Sequence, residues 1–118
     1  MQFYPVLRLK PANEVHLKNR HHAIFRGALA EPPAAEDGSI VEVHTSKGEF
    51  LCYATYNSQA YICGRAFAFD RGDPMETLRR SIARAGGMRK ALRGTEDTDC
   101  WRLINAEGDG IPGLIVDR

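Results

Sequence analysis

Between Tyr61 and Phe69 the chain alternates in a way that leaves little freedom of architecture. One set of positions holds Tyr61, Cys63, Arg65, Phe67 and Phe69, and the other holds Ile62, Gly64, Ala66 and Ala68, mostly small. Successive side chains of a strand point to opposite faces, so the small set forms a face that another backbone can approach closely. That is the requirement of a tightly curved sheet or small barrel. The preceding residues supply strands short enough for such a curve. Phe3 to Leu9 reads as a strand with Pro5 marking an edge or its start, since proline donates no ladder hydrogen bond. Asn13 can cap a short helix from Glu14 to about Arg20, and Phe25 to Leu29 reads as the next strand. After a loop around Pro32 and Pro33, Val41 and Val43 alternate with Glu42 and His44 within Ser39 to Thr45. Ser46-Lys47-Gly48 then turns the chain, and Phe50 to Tyr56 returns as the partner strand.

At Asp73 the period changes. Asp73-Pro74-Met75-Glu76 combines an N-cap residue, a proline at the first helical position and an early glutamate. Met75, Leu78, Ile82, Ala85 and Leu92 follow near a 3.6-residue period, predicting a helix from Pro74 to about Arg93, with Gly86 and Gly87 as a place for a kink or break. Arg102 to Arg118 then reads as a hairpin. Leu103 and Ile104 enter a turn rich in Gly, Asp and Pro, and Leu114, Ile115 and Val116 leave it. Nothing follows to cover the returning strand, so the chain is expected to be the front part of a longer protein. The fold class is α+β, with residues 1–70 as a small β pseudo-barrel and residues 71–118 as a helix and the beginning of a second module.

The 118 residues include 43% hydrophobic and 26% charged side chains, ordinary for a globular protein, and no apolar run approaches the roughly 20 residues that cross a bilayer. The N-terminus lacks a secretory pattern, so a cytoplasmic location is expected. Cys52, Cys63 and Cys100 fit no zinc spacing and form no even set, and they read as buried, reduced thiols.

The net charge is only +1, but the cations are clustered. Arg8, Lys10, Lys18, Arg20 and Arg26, with His16, His21 and His22, share their stretch with a single acid, Glu14. Such a cluster suits phosphates, arginine adding a planar fork for bidentate contact. It also suits a solvated surface. Adjacent His21 and His22 diverge in most backbones and have no further ligand at metal spacing, so no metal site is read there. A second group, Arg79, Arg80, Arg84, Arg89, Lys90 and Arg93, has no acid between Thr77 and Thr95 and is either RNA-facing, covered by acidic protein, or solvated. Glu107 and Asp109 read as turn residues.

The words RLINAEGDGIPGLIVDR (Arg102 to Arg118), LRLKP (Leu7 to Pro11), IFRGAL (Ile24 to Leu29), Tyr56-Asn57, Ile62 and Arg65 resemble the S-adenosylmethionine-dependent methyltransferases of the large-subunit ribosomal RNA cytosine-5 type. The resemblance covers nearly the whole chain. It implies a PUA-like RNA-binding domain over the first 70 residues and the start of the module linking it to a catalytic domain. The chain departs from the pattern at His22-Ala23, Ser58, Ala60-Tyr61 and Asn105-Ala106. The resemblance and the cation pattern together nominate Arg8, Lys10, Lys18, Arg20, His21, Arg26, Asn57 and Arg65 as RNA-binding, and the resemblance implies ribosomal RNA as partner. Asn57, at a strand end, reads as a turn former ahead of a nucleotide reader.

No glycine-rich strand-to-helix turn followed by a distant acid provides a nucleotide cradle, and no cysteine sits in a motif suited to attacking a pyrimidine. No catalytic residue is assigned, and S-adenosylmethionine and the nucleophile are expected in a catalytic domain beyond Arg118. The competing readings are a stand-alone RNA-binding or ribosome-associated protein, and an interaction module forming a homodimer through its last strand. Calorimetric titration of the 118-residue chain with S-adenosylmethionine should be flat, and a saturable micromolar signal would refute this division of labour.

Overall fold

A computed structural model describes residues 3–92, 102–106, 110–111 and 114–117. They form two compact units, Met1–Gly72 and Asp73–Arg118.

The first unit is a curled five-stranded sheet. Its strands are β1 (Val6–Arg8), β2 (Ala23–Phe25), β3 (Ile40–His44), β4 (Phe50–Tyr56) and β5 (Ile62–Ala68), in the order β1-β3-β4-β5-β2. Only β1 and β3 run parallel; the other neighbours are antiparallel. The two outer strands meet around the back. Leu9 bridges Leu29, with Lys10 N–H donating to Ala28 O and Ala30 N–H to Arg8 O, both at 2.9 Å. A 3₁₀ turn (Pro11–Asn13) and one turn of helix, α1 (Val15–Lys18), lie between β1 and β2.

Alternation puts Leu7, Val41, Val43, Cys52, Ala54 and Ala66 inside, where Leu9, Leu17, Ile24 and Tyr56 complete the core. The small face of β5 performs the predicted role. A Cβ on Gly64 would lie 3.0 Å from Ile24 Cδ1 and 3.1 Å from Ile24 Cβ, so β2 packs as closely as it does because that Cβ is missing. Burial pushes the Cys52 thiol up to about 12, and Cys52 and Cys63 are both free and buried. Cys100 lies outside the described residues.

Several expectations are corrected here. Cys63 is not on the face of Arg65 and Phe67. Ile24 pairs with Gly64 but Phe25 with Ile62, leaving Cys63 as the extra residue of a bulge whose thiol turns into the core toward Ile24 O. The strand expected at Phe25 to Leu29 is Ala23–Phe25, because pairing with β5 ends at that bulge and Arg26–Ala28 tightens into a 3₁₀ turn. Asn13 does not cap α1; it closes the 3₁₀ turn, and Glu14 precedes the helix.

In the second unit, α2 (Pro74–Leu92) starts as predicted, with the Asp73 carboxylate accepting from Met75 N–H at 3.0 Å. It is continuous through Gly86 and Gly87. Strands β6 (Arg102–Asn105) and β7 (Ile115–Asp117) form the expected antiparallel hairpin. Ala85, Ile104 and Ile111 are buried there, flanked by Leu78, Leu114 and Val116. Met75 and Ile82, read as part of the apolar stripe, are instead left more than a third exposed, and Ser81 is buried. At 100° per residue Ser81 and Ile82 flank the line through Leu78 and Ala85 equally, and the fold buries the Ser81 side.

Gly64→Ala should destabilise the first unit by about 1–3 kcal/mol, because Ile24 is held by the core it would have to leave. Thermal unfolding followed by circular dichroism should show the loss, and an unchanged midpoint would disprove the close-approach argument.

Candidate nucleic-acid interface

The turn of α1 is anchored at its start. Glu14 Oε1 accepts from Ser46 N–H (2.8 Å) and Ser46 Oγ (3.1 Å), and chiefly the backbone bond holds the Glu14 carboxyl below the usual carboxylate range. Lys18 Nζ stands 3.9 Å from Glu14 Oε2 in this corner. The helix then ends sharply. Arg20 takes a left-handed φ of 61°, which aims its guanidinium over the Phe69 ring at 5.6 Å. His21 N–H donates to His16 O, and the two imidazoles lie 5.8 Å apart. His22 O accepts from Ala66 N–H as β2 begins, while His22 Nδ1 is buried without a partner; nothing in the structure explains that atom.

Between α1 and β2 lies a cleft of about 20 Å³, room for one water-sized group. Buried Leu9, Leu17, Ile24 and Ala28 form its base, with Asn13 and His16 on the α1 side and Ala23 and Phe25 on the β2 side. Phe25 continues outward to Tyr61, with ring centroids 5.4 Å apart.

Beside this pair, Arg26 is committed to structure. Its guanidinium donates to Ser58 O (2.9 Å) and Ala60 O (3.2 Å), and its own N–H to Tyr61 O (2.9 Å). Asn57 is a turn former, its Oδ1 accepting from Gln59 N–H at 3.0 Å. From the neighbouring loop Asp37 accepts from Ser58 N–H (2.7 Å) and Ser58 Oγ (3.1 Å), which holds its carboxyl below the ordinary range.

The nominated residues therefore divide. Lys18, Arg20 and His21 lie on α1 and its exit, and Lys10 opens the 3₁₀ turn that leads to it. Arg26 and Asn57 meet at the β4–β5 turn. Arg8 sits in register with His44 on the outer face, where Glu42 pairs with His44 (3.1 Å) and Arg71 (3.6 Å). Arg65 lies in register with Ala23 and Thr55 on the outside of β5. Asn13, Phe25 and Tyr61 were read from sequence as elements of structure and were not nominated for the site. The place of Tyr61 on the face opposite the small residues was visible, but the register that brings it to Phe25 depends on the bulge.

The second cluster is less bare than its sequence. Arg79 pairs with Glu76 at 3.3 Å and Arg89 Nε donates to Arg102 O at 3.1 Å. Arg93 lies outside the described residues.

A family model described as a PUA-like domain matches residues 7–69, more than half the chain. The chain belongs to the PUA-like domain family. Among curated relatives, ribosomal RNA large subunit methyltransferase I of Klebsiella pneumoniae is 30% identical over 98% of this chain and 30% of its own length. The protein of that name from Aliivibrio fischeri is 33% identical over 86% of this chain and 26% of its own length. This chain thus spans about 30% of the length of the first of these relatives. A solved structure, a candidate SAM-dependent methyltransferase from Streptococcus mutans, superposes over 95% of this chain and 30% of its own with a TM-score of 0.76 at 19% identity, a likeness of fold.

The described residues do not fit S-adenosylmethionine. The one stretch leading from a strand into a long helix, Phe69 to Asp73, holds a single glycine; Pro74 follows, and the Met75 amide is already taken by Asp73. No helix among the described residues is long and apolar enough to cross a membrane.

Asp37→Ala should release the β4–β5 turn of this PUA-like barrel and speed hydrogen exchange of the Ser58 amide at least about tenfold. Because the folded-state pKa of Asp37 lies below its ordinary value, its contribution is present above that value and lost as pH falls beneath 3.8 through the folded one. In the wild type, Ser58 protection should therefore fall selectively on acidification. Ser58 exchange indifferent to both the substitution and the pH would remove Asp37 from the turn.

Proposed function

We propose that this chain is the RNA-binding part of a class I S-adenosylmethionine-dependent ribosomal RNA methyltransferase, presenting structured RNA to a catalytic body that these residues do not contain. The observation that carries the reading is the run of cations along α1 and its approaches on a PUA-like barrel, Lys10, Lys18, Arg20 and His21, with one acid in the same stretch, Glu14, which is engaged by Ser46 and paired with Lys18. Cations with few competing acids attract phosphates by charge, independently of sequence. The printed names of the relatives support ribosomal RNA as the ligand class and methyl transfer as the parent's chemistry. Cytosine-5 as the target atom rests on the resemblance of Arg102 to Arg118, and a cytoplasmic address follows from that role. A homodimer through an edge of the β6–β7 hairpin would show as salt-insensitive self-association in sedimentation.

The test is the salt dependence of RNA binding. Each phosphate contact contributes a slope of about −0.7 in log affinity against log salt for single strands. Lys18→Gln with Arg20→Asn should weaken binding to every RNA by a similar factor and make the slope shallower by roughly one to one and a half units. Asparagine is chosen at position 20 because it tolerates the left-handed backbone there. Unchanged affinity and slope would move the site away from α1.

A further inference from the structure

Two large aromatic side chains stand in water at the edge of this barrel and touch each other. Tyr61 is 74% exposed and Phe25 43% exposed, with their ring planes inclined at 55°. Single exposed apolar residues are ordinary on any surface. These two differ because the backbone beneath them is fastened from three directions. Arg26 holds the carbonyls of Ser58, Ala60 and Tyr61, Asp37 holds the amide and hydroxyl of Ser58, and Asn57 holds the amide of Gln59. A tyrosine has few torsions to lose, and here its backbone is already ordered before any ligand arrives, so the entropic cost of using the ring is low.

We propose that the open face of Tyr61, braced by Phe25, is a stacking platform for one unpaired nucleobase. The site thus takes single-stranded or looped RNA rather than a continuous duplex. This rests on the RNA-binding reading above and deepens it. A base inside a duplex has both faces covered by its neighbours and offers nothing to an exposed ring, whereas an unpaired base has a free face. The RNA-binding reading of the barrel favours a nucleic acid over an apolar peptide: Phe25 also lines the α1–β2 cleft with His16, whose ring lies 5.8 Å from that of His21 on the exit of the cation-bearing turn α1. The acid of this network, Asp37, has both oxygens engaged by Ser58. Stacking is tolerant of base identity, so the platform selects strandedness and leaves sequence unread.

The experiment uses the 118-residue chain and fluorescence anisotropy with a labelled oligouridylate about eight nucleotides long, its abasic counterpart of equal charge, and an RNA duplex of the same length. Tyr61→Ala should weaken oligouridylate binding about tenfold, leave the salt slope and the affinity for the abasic strand unchanged, and leave duplex binding unaffected. Tyr61→Phe should stay within about twofold of wild type, since the π face is retained. Equal losses on the base-bearing and abasic strands, or no loss on either, would overturn the platform while leaving phosphate binding at α1 intact. Absence of binding to all three by the wild type would bring down the RNA-binding reading and the platform with it. Self-association abolished by Tyr61→Ala, with RNA affinity unchanged, would assign the aromatic pair to a protein contact and refute the proposal.

Discussion

The first unit depends on two backbone hydrogen bonds that join its ends. Without Lys10 N–H to Ala28 O and Ala30 N–H to Arg8 O, β1 and β2 would be free edges of an open sheet, available to any passing strand. With them, the sheet encloses a core that five strands of three to seven residues can fill. The closure also dictates where α1 goes. The segment between β1 and β2 has to pass over one end of the barrel, so Leu17 plugs the core from above and the polar side of the same turn is left facing outward beside β2. The cleft is a by-product of closing the sheet.

That geometry separates charge from availability. Arg26 has the composition of a phosphate ligand and the geometry of a brace, while Asn57 orders its own turn. Arg20 is presented at the surface by a strained backbone angle, and Phe69 steadies its guanidinium from below. A guanidinium lying over a ring keeps its hydrogen-bonding edge for another partner, which suits it to an anion better than a cation already bound to carbonyls.

Much of this was legible in the sequence. The alternation of β3 and β4, the turn at Gly48, the helix start at Asp73-Pro74 and the C-terminal hairpin follow from local rules, and each formed where those rules place it. The small face of β5 announced a close approach, and Gly64 against Ile24 supplies it. What could not be read was set by register. The bulge at Cys63 reverses that side chain, shortens β2 and brings Tyr61 to Phe25, and none of its causes is local to those residues. For the candidate site, the cation cluster on and after α1 was visible as composition. The turn-forming role of Asn57 was legible, whereas that of Arg26 depends on partners more than 30 residues away, and only the folded chain displays it.

The β4–β5 turn constrains heredity as well as structure. Its ties run mainly to backbone atoms, three carbonyls (Ser58, Ala60 and Tyr61) and two amides (Ser58 and Gln59), with the Ser58 hydroxyl beside them. The side chain at Ala60 can therefore change freely, and that of Gln59 at the loss of one exposed hydrogen bond to Ser58 Oγ, but adding or removing one residue between Asn57 and Tyr61 would take the carbonyls out of reach of Arg26 and the Ser58 amide out of reach of Asp37 together. Among descendants of this chain, the turn should drift in composition while keeping its length, the reverse of what exposed loops usually do.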